Sequence, residues 1–232
     1  MKIKIYADGA EKSKMLEAYN EGKVSGFTTN PTLMKKSGIT DYLMFAKDVL
    51  SEITDLPISF EVFSDDIDEM EIQAYKLRDL ADNVYVKIPV TNTKGITTYS
   101  LVEKLTTNEV KVNVTAIFTD DQVKFVADSI KNSTPSVISI FAGRIANAGV
   151  DPEPLMKRAV EYTKNNPEKE ILWASPREAL NIIQAERCGC DIITVTDDIL
   201  KATNTFGKDL EEFSLETVKM FYDDAKSAGF VI

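Results

Sequence analysis

The chain has 232 residues, of which 44% are hydrophobic, so it can build one substantial core, with two small domains as the alternative. Its net charge of -10 argues against a broad surface for nucleic acid or for an anionic membrane. Histidine is absent, which removes the commonest general base and metal ligand, so we expect no metal centre and expect carboxylates, lysine, tyrosine or water to transfer protons.

Eight short apolar or β-branched runs predict strands, and the segments between them have helical periodicity. The runs begin near Ile3, Val24, Ile58, Val84, Val112, Val137, Ile171 and Ile192. All but the second clearly precede a helical segment, and the best delimited helices cover residues 11–20, 65–80 and 151–166. This alternation predicts parallel strands and an α/β fold, a single (β/α)8 TIM barrel over residues 1–232. A doubly wound open sheet is the alternative.

A lysine, Lys87, interrupts the apolar fourth run at residues 84–90. Removing an ammonium from water is costly, so a buried lysine is often cheaper as the neutral amine, which is a nucleophile that forms Schiff bases. On an edge strand the same lysine would serve to discourage aggregation. Because a closed barrel has no edge, the predicted fold makes Lys87 the first catalytic candidate.

Polar residues share one face of five predicted strands, because side chains two positions apart point the same way. The alternating positions are Tyr6 and Asp8, Ser59 and Glu61, Tyr85 and Lys87, Asn113 and Thr115, and Ser139 and Phe141. Any one of the polar residues could serve as a cap or bond to nearby backbone. A buried ring of unpaired polar groups is costly, however, so we expect a shared site at the C-terminal ends of the strands.

The segment after the seventh strand reads as a helix start, with Ser175 as N-cap, Pro176 in the first position and Glu178 completing a capping box. Arg177 would add charge to the positive end of that helix, a conflict that a bound anion would relieve. Arg144, at the end of the sixth strand, could reach the same anion. A structural role is the alternative for each arginine alone, and their convergence favours an anion site.

The remaining features narrow the class of protein. No run of about 18 apolar residues and no signal-peptide pattern is present, so we expect a soluble cytoplasmic protein that does not bind membranes. Cys188 and Cys190 are too close for an ordinary disulfide and too few for a zinc site. The sequence has neither a P-loop nor a G-x-G-x-x-G after a strand, so nothing supports nucleotide-dependent chemistry.

Five motifs resemble the transaldolase family, in the order in which the family has them, and most closely its small members, which include fructose-6-phosphate aldolases. They are GFTTNPTL at residues 26–33, VKIP at 86–89, NVT at 113–115, SIFAGR at 139–144 and ASPR at 174–177. The resemblance runs from Asp8 to about Thr196. It implies a (β/α)8 barrel, no cofactor, and a lysine Schiff base with the dihydroxyacetone part of a ketose phosphate.

The resemblance also implies catalytic roles at the matched positions. Lys87 is similar to the Schiff-base lysine, and Asp8 to the aspartate that handles protons at the cleaved carbon–carbon bond. Glu61 and Thr115 resemble the pair that holds the catalytic water, with Glu61 as the general acid/base.

Further positions are similar to the family's substrate-binding residues. Asn30 and Asn113 resemble amides that orient the donor and the Schiff base, and Ser139 lies near them. Arg144, Ser175 and Arg177 fall where the family binds phosphate. Thr28 and Phe141 are the remaining substrate-binding positions. Pro176 departs from the phenylalanine that the family usually has.

The reaction implied by this resemblance is transaldolase, of the pentose phosphate pathway type. It moves a dihydroxyacetone unit from fructose 6-phosphate or sedoheptulose 7-phosphate to erythrose 4-phosphate or glyceraldehyde 3-phosphate. The alternatives are a fructose-6-phosphate aldolase that releases free dihydroxyacetone and a barrel that binds sugar phosphates without turnover. Glu61 and Phe141 favour the transferase, since fructose-6-phosphate aldolases carry glutamine and tyrosine there.

The C-terminal segment, residues 214–232, predicts an extra amphipathic helix followed by a tail. Leu215, Val218, Tyr222 and Ala225 have helical spacing, and an extra amphipathic helix needs a partner surface. Small members of the family form rings of subunits in which these helices pack across neighbours. The resemblance therefore implies a homo-oligomer, with a ring-based decamer as one such assembly.

Overall fold

The computed structural model of the protein describes residues 2–131 and 133–232, and its strands form a closed parallel barrel. The eight strands are β1 Lys4–Asp8, β2 Gly26–Thr28, β3 Ile58–Glu61, β4 Val84–Pro89, β5 Val112–Ile117, β6 Ser136–Ile140, β7 Lys169–Trp173 and β8 Ile192–Val195. They pair in chain order, and β1 also pairs with β8, which closes the barrel. The predicted TIM barrel is confirmed, and the open doubly wound sheet is excluded.

The described residues form eleven α-helices. These are α1 Lys12–Asn20, α2 Pro31–Lys36, α3 Tyr42–Leu50, α4 Ile67–Arg78, α5 Tyr99–Thr107, α6 Asp120–Ser129, α7 Ala142–Asn147, α8 Glu153–Thr163, α9 Leu180–Cys188, α10 Asp197–Ala202 and α11 Leu210–Ala228. The second strand does precede helices, α2 and α3, although α2 is too short to show a clear periodicity. Across both described ranges, no helix combines the length and apolarity that crossing a membrane requires.

The chain divides into two compact units, residues 1–200 with the barrel and residues 201–232 with α11. Helix α11 begins before Ser214, where the extra helix was predicted to start, because Asp209 caps it by accepting from the backbone N–H groups of Glu211 and Glu212. It ends at Gly229, whose positive φ of 68° suits glycine. No side chain of α11 is buried.

The lower part of the barrel interior is filled by apolar and aromatic side chains, which give the polar side chains above them a floor. Tyr6, Val137, Leu172, Ala174 and Ile192 form one buried cluster inside the barrel. The Tyr6 ring lies where a side chain at position 26 would point, since a Cβ on Gly26 would be 2.6 Å from Tyr6 Cζ. Tyr6 is buried in this cluster, so this residue of the polar face belongs to the floor, and the same burial raises the pKa of its hydroxyl.

An irregularity in β5 changes the direction of the side chains near its C-terminal end. The register with β6 shifts between Val114 and Ile117, so β5 contains one extra residue there. Ala116 lies in this bulge and has a φ of 60°. This left-handed conformation costs a non-glycine residue about 1–2 kcal/mol. As a result, the consecutive residues Thr115 and Ala116 both line the cavity at the end of the barrel.

Candidate active site

A cavity of about 550 Å³ opens among the C-terminal ends of the strands. Eleven of the twelve site residues predicted from the sequence line it: Asp8, Thr28, Asn30, Glu61, Lys87, Thr115, Ser139, Phe141, Arg144, Ser175 and Arg177. The twelfth, Asn113, is fully buried and does not reach the cavity. The fold therefore brings together residues that are more than 150 positions apart in the chain.

Lys87 is 7% exposed and projects from β4, which pairs with β3 on one side and β5 on the other. This pairing excludes an edge-strand role for the lysine. Its Nζ lies 3.5 Å from Glu61 Oε2 and donates to the backbone carbonyl of Thr29 at 3.1 Å. The amine therefore lies beside a carboxyl group, unlike the unpaired buried lysine considered from the sequence.

Glu61 stands at the end of β3, where Tyr42 holds the backbone by donating its hydroxyl to the Glu61 carbonyl at 2.8 Å. Burial raises the pKa of the Glu61 carboxyl, and the adjacent Lys87 opposes that rise. The nearby cavity wall includes the Thr115 hydroxyl, which is buried and has no hydrogen-bond partner among the described residues. A carboxyl with a raised pKa and a threonine with an unsatisfied hydroxyl thus line one cavity.

Asp8 ends β1 on the other side of the cavity from β5. Burial raises the pKa of the Asp8 carboxyl, whereas Lys87 and a hydrogen bond from Thr28 lower it. Thr28 Oγ1 donates to Asp8 Oδ1 at 2.8 Å and also lies within hydrogen-bond distance of Thr194 Oγ1 on β8. The carboxyl is therefore buried but held by a specific donor, an arrangement suited to a general base.

Asn113 connects three strands beneath the cavity. Its Nδ2 donates to Ser59 Oγ at 2.9 Å, and its Oδ1 accepts from Ser139 Oγ at 2.7 Å. Its backbone is opposite Lys87 in the register of β4 and β5. The amide thus fixes the Ser139 hydroxyl, which does line the cavity, and satisfies a polar group that would otherwise be buried unpaired.

Arg144 and Arg177 supply positive charge at the same cavity from the segments that follow β6 and β7. Neither guanidinium forms an ion pair with a carboxylate in the described part of the chain. Gly143 makes their approach possible, because a Cβ at this position would lie 1.7 Å from the Ser175 carbonyl oxygen. Arg177 Nε lies 3.4 Å from the Gly143 carbonyl, and Arg144 stacks over the Phe141 ring at 5.3 Å.

The predicted capping box at Ser175 is wrong. Ser175 has a φ of 59°, which differs from the extended conformation typical of an N-cap, and α9 begins only at Leu180. The side chain of Asn181 instead accepts hydrogen bonds from the backbone N–H groups of Arg177 and Glu178, at 2.7 and 3.3 Å. This loop keeps Ser175 and Arg177 against the cavity, and Pro176 lies within it.

Asn30 also has a local structural role, since its side chain caps α2 by accepting from Leu33 N at 3.0 Å. Sequence reasoning missed Thr194 and Lys36, which line the cavity from β8 and α2. Thr194 could have been found by extending the alternation of inward positions to β8, where it lies two residues after Ile192. Lys36 is an exposed residue of a short helix, and no pattern marked it.

Comparisons with known proteins are consistent with this geometry. Residues 5–232 match the model of the family described as Transaldolase/Fructose-6-phosphate aldolase. A probable transaldolase of Bdellovibrio bacteriovorus is 32% identical over 227 residues, covering 97% of this chain and 99% of the relative. One from a Ruegeria species is 34% identical over 99% of this chain and 100% of its own. One from Methanococcus maripaludis is 34% identical over 85% of this chain and 88% of its own.

Proposed function

Because the chain belongs to the transaldolase/fructose-6-phosphate aldolase family, we propose that it transfers a dihydroxyacetone unit from a ketose phosphate to an aldose phosphate through a Schiff base on Lys87. The observation that carries the proposal is the position of Lys87 Nζ, 3.5 Å from Glu61 in a cavity that also contains Asp8 and two arginines. The imine would serve as the electron sink, so the reaction calls for no cofactor.

In the first stage of the proposed reaction, Lys87 Nζ attacks the ketose carbonyl carbon, and the carbonyl oxygen takes a proton to give a carbinolamine. Loss of water then leaves a protonated imine. In this proposal Glu61 donates the proton that allows water to leave and recovers it later, a role supported by its position 3.5 Å from Lys87 Nζ and by the burial that raises the pKa of its carboxyl. The unsatisfied Thr115 hydroxyl offers a hydrogen-bonding site for that water.

In the second stage, Asp8 accepts the proton of the C4 hydroxyl of the ketose imine. The C4–oxygen bond becomes the carbonyl of the leaving aldehyde, the C3–C4 bond breaks, and its electron pair moves into the protonated imine at C2 to form an enamine. Attack of the enamine on the carbonyl of an acceptor aldose reverses these steps, with Asp8 returning the proton. Hydrolysis of the new imine then releases the product and restores the Lys87 amine.

Arg144 and Arg177 are proposed to bind the phosphate of both donor and acceptor. Replacing either with alanine is expected to lower kcat/KM for phosphorylated substrates by roughly 10- to 150-fold, since one charge-assisted contact is worth about 1.5–3 kcal/mol. Use of unphosphorylated analogues, measured in the same steady-state assay, should fall by less than about threefold.

The matched control is Arg158→Ala, which removes an arginine that pairs with Asp120 on the outer helices. Its kinetics should equal those of the unchanged protein with both kinds of substrate. Equal losses for phosphorylated and unphosphorylated substrates in the Arg144 and Arg177 variants would show that these residues support the fold instead.

Transfer is favoured over simple aldol cleavage by Glu61 and Phe141. A carboxyl exchanges protons through water, whereas the glutamine of fructose-6-phosphate aldolases only hydrogen-bonds. We expect transfer from fructose 6-phosphate to erythrose 4-phosphate to exceed aldol addition of free dihydroxyacetone to glyceraldehyde 3-phosphate at least ~10-fold. Phe141→Tyr should narrow this ratio. A native protein that makes fructose 6-phosphate from free dihydroxyacetone faster than it transfers the unit would instead be an aldolase.

We also propose that α11 mediates assembly into a homo-oligomer. The helix places Leu215, Val218 and Tyr222 on one face, and none of these side chains is buried within the chain. Burying such a face against another subunit gains about 25 cal/mol per Å² of apolar surface. Sedimentation equilibrium at micromolar concentration should give a multiple of the chain mass, and Leu215→Asp with Val218→Asp should lower it. A strictly monomeric mass for the native protein would refute the proposal.

A further inference from the structure

Thr194 connects β8 to the carboxylate proposed as the base. It is 5% exposed, and its Oγ1 lies within hydrogen-bond distance of Thr28 Oγ1 on β2. The Thr28 hydroxyl donates to Asp8 Oδ1 on β1 at 2.8 Å. Since β1 pairs with both β2 and β8, three adjacent strands contribute a linked row of side chains that ends on Asp8.

The hydrogen bonds in this row have a defined direction when Asp8 is ionised. A carboxylate only accepts hydrogen bonds, so Thr28 must direct its single hydroxyl proton to Asp8. The remaining bond then requires Thr194 to donate to Thr28. Donors linked in this way polarise one another, which strengthens the last bond of the row, the one to the carboxylate.

We propose that Thr194 is a positioning residue, which acts through Thr28 to hold Asp8 as an ionised, correctly oriented base. The inference rests on the proposed function, because it assigns Thr194 to the step in which Asp8 takes a proton. Without the Thr194 hydroxyl, the Thr28 oxygen loses the donor that polarises it, so the hydrogen bond from Thr28 to Asp8 weakens. The carboxylate is then stabilised less in a site where burial disfavours its charge.

The test compares Thr194→Val, which keeps the shape but removes the hydroxyl, with Thr194→Ser, which keeps the hydroxyl. The single-turnover rate of glyceraldehyde 3-phosphate release from fructose 6-phosphate should fall roughly three- to tenfold in the valine variant, as expected for one lost hydrogen bond. The serine variant should retain at least about half of the rate. KM should change little in either, and the valine variant should accumulate more of the borohydride-trapped Lys87 adduct.

A double-mutant cycle tests whether the effect passes through Thr28. In a Thr28→Val background, Thr194→Val should cost less than about a twofold further loss, because the bond it removes is already absent. Thr194→Ala serves as a second hydroxyl-free variant should the valine variant not fold. Thermal unfolding of each variant separates a loss of fold from a loss of rate.

The outcomes separate this inference from the proposed function. A native protein that forms no adduct on Lys87 would contradict the proposed function. If the adduct forms in every variant but the valine and alanine variants release product at the native rate, only the role of Thr194 is wrong. A serine variant as slow as the valine variant, or additive losses in the cycle, would assign Thr194 to packing and would also overturn the inference.

Discussion

Replacing Lys87 with arginine is expected to abolish turnover, with kcat/KM for fructose 6-phosphate falling at least ~1,000-fold. A guanidinium at this position is a long cationic side chain beside Glu61, but it does not act as a nucleophile at neutral pH. The variant should still bind sugar phosphate, since Arg144 and Arg177 are unchanged. Steady-state transfer to erythrose 4-phosphate measures the loss, and a thermal unfolding curve establishes that the barrel remains folded.

The matched control is Lys35→Arg, which makes the same substitution at an α2 residue that does not line the cavity containing Lys87. Its transfer rate should equal that of the native protein. Turnover by a folded Lys87→Arg variant within tenfold of the native rate would exclude covalent catalysis by this lysine.

Replacing Asp8 with asparagine is expected to lower transfer by about 10²- to 10⁴-fold, the usual contribution of a general base. The amide preserves size and still accepts from Thr28, but it takes no proton from the substrate hydroxyl. In the proposed reaction Schiff-base formation precedes this proton transfer, so the variant should still form the borohydride-trapped adduct. Loss of turnover together with retention of the adduct would locate Asp8 in the cleavage step.

The pH dependence of the native protein provides a second test of Asp8. Burial raises the pKa of its carboxyl, so the proposed base is ionised only above that raised pKa, and activity is expected to fall as the pH decreases through it. Asp128→Asn, at an exposed position in α6, is the control and should leave the profile unchanged. An Asp8→Asn variant that transfers at the native rate would remove Asp8 from the mechanism.

The strands and their order could be predicted from the sequence because the signal is local. Each apolar run spans only a few residues, and parallel strands separated by helices leave few possible topologies. The alternation of side chains along each strand predicts that Asp8, Glu61 and Lys87 lie on one inner face. Closure of the barrel, which the pairing of β1 with β8 shows, made that face a single cavity.

The loop after β7 could not be predicted from the same local rules. Ser175, Pro176 and Glu178 fit a capping box, yet the backbone there is set by contact with Gly143, which is more than 30 positions away in the chain. The side chain of Asn181 then satisfies the two N–H groups that a cap would have served. The capping-box pattern is local, whereas the contact between Gly143 and Ser175 that determines this backbone is long-range and cannot be read from the sequence.

The hydrogen-bond partners within the site were also beyond local patterns. Asn113 matches a substrate-binding position, but its amide is occupied by Ser59 and Ser139 and lies below the cavity. For Thr194, strand alternation gives the inward position, but not its link through Thr28 to Asp8, which lie on strands at the other end of the chain. Strand parity predicts which residues point inward, whereas their bonding depends on how the barrel closes.

The most direct test of the account is to incubate the native protein with fructose 6-phosphate and sodium borohydride and to map the product by mass spectrometry. Borohydride reduces an imine to a stable secondary amine, so a dihydroxyacetone unit should be found covalently attached to the peptide that contains Lys87. The Lys87→Arg variant should carry none. An adduct on a different lysine, or no adduct in a preparation that actively transfers the three-carbon unit, would contradict the account.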